Sequence, residues 1–139
     1  LRLGTPAAPV ATTDAPVPGV RHDLDLVVSS LTYHDAVGYG DDRAKMNAAV
    51  RAALKPTGRY IVIDHAALPD APMPEVTKTL HRIPEAFVIA EVEAAGFTLA
   101  ERSASFANPG DSHDWSAAPS AAGERRGTSD RFALVFVPR

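Results

Sequence analysis

The spacing of apolar positions changes several times along the chain, and each change marks an element. Asp25-Leu-Val-Val-Ser-Ser30 is continuously apolar and β-branched at its centre, so Leu24 to Ser30 is read as a buried strand, covered on both faces in a parallel sheet. Gly38, Gly40, Asp41 and Asp42 then form a turn whose aspartates can accept bonds from the free amides of a helix start. Helix is predicted from about Asp42 to Leu54: Met46, Val50, Ala53 and Leu54 give one apolar face, and Arg43, Asn47 and Arg51 lie opposite. Lys55-Pro56-Thr57-Gly58 ends that helix, and Arg59 to Asp64 resumes as a second apolar strand. Strand, helix, strand over Leu24 to Asp64 has the length of a right-handed crossover in a parallel sheet.

Downstream of a proline-rich loop, Leu68 to Pro74, the pattern predicts a short helical turn at Glu75 to Leu80. A longer helix then opens at Ile83-Pro84, with Phe87, Val88, Val92 and Ala95 as its buried stripe. Gly96 stands where a left-handed cap belongs, and Phe97 can pack back on the last turn. Phe97 to Ser103 and Arg131 to Val137 read as strands, the second by its alternation of Phe132, Leu134 and Phe136 with smaller residues. Between them Ala104 to Asp130 has no periodicity; a loop of that length is a lid, a binding loop or a disordered segment. The N-terminal segment, residues 1–23, is poorly defined, its one weak strand candidate running from Ala8 to Thr13 and ending at Asp14.

Composition narrows the class. A chain of 139 residues is one domain at most, and 45% hydrophobic with 22% charged residues is ordinary for a soluble globular protein. A net charge of −3 and scattered basic residues supply no cationic field for a phosphate backbone, so nucleic acid is not an expected partner. The longest apolar runs fall far short of a bilayer span, so no membrane is expected either. The absence of cysteine removes disulfides, thiolate ligands and a cysteine nucleophile. The chain begins at Leu1 without methionine or a targeting pattern, like a piece of something longer; its compartment is open, with the cytoplasm as default.

Two segments carry a resemblance: Leu54-Lys-Pro-Thr-Gly-Arg-Tyr-Ile-Val-Ile-Asp-His65, and Glu91-Val-Glu-Ala-Ala-Gly-Phe97 before the next strand. With the elements in this order, the chain resembles the C-terminal half of a class I, Rossmann-like, S-adenosylmethionine-dependent methyltransferase. A narrower resemblance is to a group of predicted bacterial methyltransferases, through Tyr33-His34-Asp35, Asp64-His65, Leu80-His81-Arg82-Ile83, Asn108-Pro109 and Thr128-Ser129-Asp130-Arg131-Phe132. It covers roughly Asp25 to Pro138. The fold implied is α/β, a partial Rossmann-like sheet, mostly parallel with an antiparallel last strand and helices packed on it. Missing are the superfamily's first strand with its Gly-x-Gly loop and the acidic residue ending its second strand; Gly38-Tyr-Gly40 lies beyond a strand and reads as a turn.

The resemblance makes the fourth and fifth strands of the family neighbours, so His34, Asp35, Asp64 and His65 could converge at their carboxyl ends, where open α/β sheets collect ligands. It implies S-adenosylmethionine as cofactor, with Ser29, Ser30, Leu31 and Asp14 on its side, and a small-molecule methyl acceptor met by Asp64, His65, His81, Arg82 and Asn108. His34 is the candidate base, with Asp35 or Tyr33 orienting it or the acceptor. Equally open is that Tyr33-His34-Asp35 only caps the sheet through local hydrogen bonds. His65 could be structural, and His81 and Arg82 solvated. His113, Asp114 and Trp115 could form a lid over the acceptor. No His-x-x-x-His spacing occurs, so no metal is expected. No Gly-x-Ser-x-Gly elbow supports a hydrolase. Alone, the chain is expected to be inactive for want of the cofactor loop. The rival function is a non-catalytic methyltransferase-like module, pairing with itself or a complementing chain through an exposed sheet edge.

Overall fold

The computed structural model describes residues 22–139. Its elements in chain order are β1 (Leu24–Ser30), α1 (Tyr33–Tyr39), α2 (Arg43–Ala53), β2 (Leu54–His65), α3 (Glu75–Leu80), α4 (Glu85–Ala94), β3 (Phe97–Ser103) and β4 (Arg131–Pro138), with a single 3-10 turn at Gly123–Arg125. The four strands make one sheet in the order β1-β2-β4-β3. β1 and β2 are parallel, and β4 runs antiparallel to both of its neighbours, β2 and β3. Three strands therefore share one direction and the last opposes them, as expected. The weak strand candidate at Ala8 to Thr13 and Asp14 lie outside the described residues. Among those residues no helix is long and apolar enough to cross a membrane.

The alternating residues of β2 and β4 build the core. Tyr60, Val62, Leu134 and Phe136 are buried on the sheet, Val88 and Val92 cover them from α4, and Ile83 and Phe97 close the ends. Each such side chain contributes about 1.5–3 kcal/mol by leaving water. Gly96, at φ 92, makes the expected left-handed turn between α4 and β3. Asp42 caps α2 by accepting a bond from the Lys45 amide at 3.0 Å.

Four features differ from the sequence expectation. β1 is not buried on both faces: Leu26 and Val28 are each 50% exposed. Among the described residues β1 pairs only with β2, and side chains alternate across a strand, so Val27 reaches the core while its neighbours face away. Lys55-Pro56-Thr57-Gly58 is not a turn between helix and strand but part of β2, bulged outward where the β1–β2 register jumps from Leu24↔Leu54 to Leu26↔Arg59. Asn47, expected on the polar face of α2, is fully buried. That face lies against α1 and α4, with Asn47 Nδ2 donating to Tyr33 Oη and Arg43 Nε to Glu91. Finally, the segment after β1 holds a helix the periodicity does not show, α1, whose seven residues carry Tyr33, His34 and Asp35.

Candidate functional site

The β1–β2 pairing continues one residue past β1, with the Leu31 amide donating to the Ile63 carbonyl at 2.8 Å. Leu31 then takes a left-handed conformation, φ 57, which a leucine adopts only at a cost of about 1–2 kcal/mol. The chain turns sharply there, and α1 begins over the end of β2 rather than beyond it. The hydroxyl of Thr32, at the head of α1, bonds to Ser29 Oγ instead of a helix amide. The missing cap comes from β2. Asp64, with no exposed surface, accepts from the His34 amide at 2.8 Å, from His34 Nδ1 at 2.6 Å and from the His65 amide at 2.8 Å.

One buried carboxylate thus fixes the entry to α1, the His34 ring and the end of β2. With Nδ1–H given to Asp64, His34 presents Nε2 to Asp35, whose Oδ1 lies 3.3 Å away. The same oxygen is 3.5 Å from Nδ1 of His81. His81 ends α3 in a left-handed conformation, φ 51. α1 and α3 approach closely because Gly38 faces α3, where a Cβ would stand 3.3 Å from Thr77 Oγ1. The His34 ring centroid is 5.4 Å from that of His81 and 5.7 Å from that of His65. The convergence of His34, Asp35, Asp64 and His65 that the resemblance implied is therefore present, and His81 joins it.

Their surroundings act on His34 and His65 in opposite directions. Burial opposes a proton on His34, but the hydrogen bond to Asp64 and the fields of Asp64 and Asp35 outweigh it and raise its pKa above the usual imidazole range. Burial also disfavours charge on His65; there the nearby His34, Arg82 and Arg131 add to it against Asp64, and the pKa is pushed down to about 4. His65 is neutral at pH 7 and shares a 2.6 Å hydrogen bond between Nδ1 and Ser129 Oγ, joining the end of β2 to the entry of β4.

Tyr33 does not belong to this cluster. Its hydroxyl points to the other side of α1, donating to Glu91 at 2.9 Å and accepting from Asn47, and burial drives its pKa far above the usual phenol value. It ties α1 to α2 and α4. Arg82, expected at the acceptor, is likewise fully buried. Its guanidinium donates to Asp111, the Ala66 carbonyl and the Trp115 carbonyl and stacks 4.6 Å from the Trp115 ring, leaving little with which to meet a ligand.

Arg82 and Asp111 organise the long segment between β3 and β4. Asp111 accepts from Arg82, the His113 and Asp130 amides and Trp115 Nε1. Asn108 sits in the same scaffold, its amide donating to Asp130 and its side chain to the Thr128 carbonyl. His113 bonds to Asp130 at 3.0 Å, so the lid expected around it is anchored to the entry of β4. Burial works against charge on Asp111, yet the bonds from Arg82 and the backbone amides win and hold the carboxyl down to about 2, against an ordinary 3.8. A carboxyl with a lowered folded pKa contributes stability above its unfolded pKa and loses it as pH falls through the folded value. Acid titration of stability should accordingly show a loss of roughly 2 kcal/mol between about pH 4 and pH 2. Asp111→Asn should remove that part of the slope, and an unchanged slope would contradict the assignment.

Ser29, Ser30 and Leu31, expected on the cofactor side, lie at the carboxyl end of β1, with Ser30 exposed and the other two half-buried. Gly38-Tyr-Gly40 closes α1, with Gly40 at φ 78 as its left-handed cap, and forms no cofactor loop. Two partners escaped sequence reasoning, Asp111 for Arg82 and Ser129 for His65. Both lie in or beside the motifs Asn108-Pro109 and Thr128 to Phe132, whose presence in a segment without periodicity was the only available signal.

No family model matches the chain, and no curated protein does. Solved structures do match. A protein assigned as a type 11 methyltransferase from Sulfolobus solfataricus superposes with a TM-score of 0.53 at 18% identity, over 87% of this chain and 54% of that one. A TehB-like SAM-dependent methyltransferase from Corynebacterium glutamicum gives 0.52 and 18%, over 86% and 50%. The mitomycin 7-O-methyltransferase MmcR gives 0.55 and 13%, over 86% and 31%. The likeness establishes the fold, an α/β sheet of the class I methyltransferase type, and the chain spans about half or less of the length of these proteins.

Proposed function

We propose that this chain is the acceptor-side half of an S-adenosylmethionine-dependent methyltransferase, completed by a cofactor-binding half. The observation that carries the proposal is the bond from His34 to the buried Asp64, which gathers His34, Asp35 and His81 beyond the carboxyl ends of β1 and β2 in a methyltransferase fold. Bound S-adenosylmethionine would supply an electrophilic sulfonium methyl. Ser29, Ser30 and Leu31 would border it, and the exposure of Ser30 suits contact with a group lying over the end of β1. The remaining work, alignment of the acceptor and removal of its proton, falls to the histidine cluster. Asp35 and His81, 36% and 34% exposed, meet the acceptor first, and His34 behind them, made a stronger base by Asp64 and Asp35, receives its proton through Asp35 once its own has been lost. Asp64 is a positioning residue, keeping Nδ1 occupied so that Nε2 faces the reaction.

Calorimetric titration of S-adenosylmethionine tests this, using the chain alone and the chain joined to whatever its reading frame encodes upstream of Leu1. Saturable one-to-one binding by the extended form, at least tenfold weaker in the chain alone, is expected. Binding by neither would overturn the proposal. It would favour instead a non-catalytic module that pairs through β1, which among the described residues is hydrogen-bonded as a strand on one side only. Tight binding by the chain alone would overturn its status as a half.

A further inference from the structure

We propose that His34, Asp35 and His81 form a binding site for a divalent transition-metal ion, zinc foremost. One ligand atom from each lies within 4.8 Å of the other two. The separations from Asp35 Oδ1, 3.3 Å to His34 Nε2 and 3.5 Å to His81 Nδ1, match the roughly 3.4 Å between neighbouring ligands of a tetrahedral ion bound at about 2.0–2.1 Å. Two imidazoles and one carboxylate are a borderline donor set that suits zinc, cobalt or iron and leaves a coordination position open.

A second, independent observation is the arrangement behind His34. A metal-bound histidine characteristically donates its other ring N–H to a carboxylate, which fixes tautomer and ring plane. His34 Nδ1 lies 2.6 Å from Asp64, a carboxylate without exposed surface that is itself held by two backbone amides. Nε2 is thereby left on the side of Asp35, 3.3 Å from its Oδ1, where a metal ion would displace its proton. The site is also reachable, because Asp35 and His81 are each about a third exposed while His34 forms its floor. The left-handed backbone of His81 and the close α1–α3 approach at Gly38 hold the third ligand in place. Ligand spacing along the chain hides this site, since residues 34–35 and 81 belong to different helix ends.

The ion would lie between His34 Nε2 and Asp35 Oδ1, which are 3.3 Å apart, and it would lower the pKa of an acceptor hydroxyl bound at its open position. That catalytic use rests on the methyltransferase reading; the binding of the ion does not.

The test is metal binding by the protein without S-adenosylmethionine: calorimetric titration with Zn2+, and the visible spectrum of the Co2+ form for coordination number. One ion per chain, a spectrum of four- or five-coordinate cobalt, and at least tenfold weaker binding in His81→Ala and in Asp35→Asn are expected, with His22→Ala unchanged. These positions are partly exposed, and circular dichroism will show that the variants remain folded. Absence of saturable binding at millimolar metal, or equal affinity in His81→Ala and Asp35→Asn, would overturn the proposal. Because no cofactor is present, this failure is distinct from failure to bind S-adenosylmethionine.

Discussion

Asp111→Ala is expected to cost about 3–5 kcal/mol of folding stability, the range for removing one partner of a buried ion pair. Neither side chain of the Arg82–Asp111 pair has exposed surface, and the nearer contact is 2.7 Å. Alanine leaves a guanidinium in the interior facing only two carbonyls and the Trp115 ring. It also strips acceptors from the His113 and Asp130 amides and from Trp115 Nε1, each a buried or half-buried donor costing about 1–3 kcal/mol when unsatisfied. These penalties overlap, because the segment can relax toward water once its anchor is gone. Urea denaturation of the wild type and the variant measures the difference. Replacing both partners with apolar residues, Arg82→Met with Asp111→Leu, should cost less than Asp111→Ala alone, since no charge is then stranded. A loss under about 1 kcal/mol for Asp111→Ala would show that the anchor contributes little.

Asp64→Ala is the second large effect, and it reaches the site as well as the fold. Three donors lose their acceptor at once, the amides of His34 and His65 and the His34 ring. A destabilisation of about 3 kcal/mol is expected from denaturation, less than the sum of three unsatisfied donors because the end of α1 can fray. Nitrogen NMR of the imidazoles supplies a readout that stability alone would not move. In the wild type His34 Nδ1 carries a hydrogen-bonded proton, and in Asp64→Ala that signature should be lost while the His65 ring, held through Ser129, keeps its chemical shifts. If the His34 signature survives, Asp64 is not what orients the ring.

Most of the architecture was legible because it is local. β1, α3 and β3 occupy the predicted spans, and α2, α4 and β4 fall within a residue or two of them. Their boundaries are written in caps and breakers such as Asp42, Pro84 and Gly96, whose effect does not depend on distant residues. α1 was not legible: seven residues give too few turns for periodicity, and Asp64 caps it from 30 residues away. Burial of β1 was misjudged for a related reason. A continuous apolar run reports what a strand is suited to, whereas the neighbours that would cover Leu26 and Val28 are a property of the whole sheet. At the site, His34, Asp35, Asp64 and His65 were identified through resemblance, and the structure brings them together, the first two from α1 and the others from the end of β2. The roles of Tyr33 and Arg82 were not legible, because adjacent residues on a helix or turn point in different directions and only one of each pair faces the cluster.

The position of β4 bears on how the chain acquires this arrangement. The last strand in sequence lies between β2 and β3, which are joined by α3 and α4 but do not touch as strands. During synthesis, everything through Ser103 can emerge from the ribosome and still have a gap at the centre of its sheet. Until residues 131–138 arrive, the inner edges of β2 and β3 are bare and the partners of Phe97 and Val62 are missing. The pairing of β4 with β2 is long-range in sequence, so it must close a long loop before its contacts repay the entropy. A chain that stops before β4 therefore presents two bare strand edges to other chains, and the bond from His65 to Ser129 at the end of β2 forms only when the approach to β4 is in place.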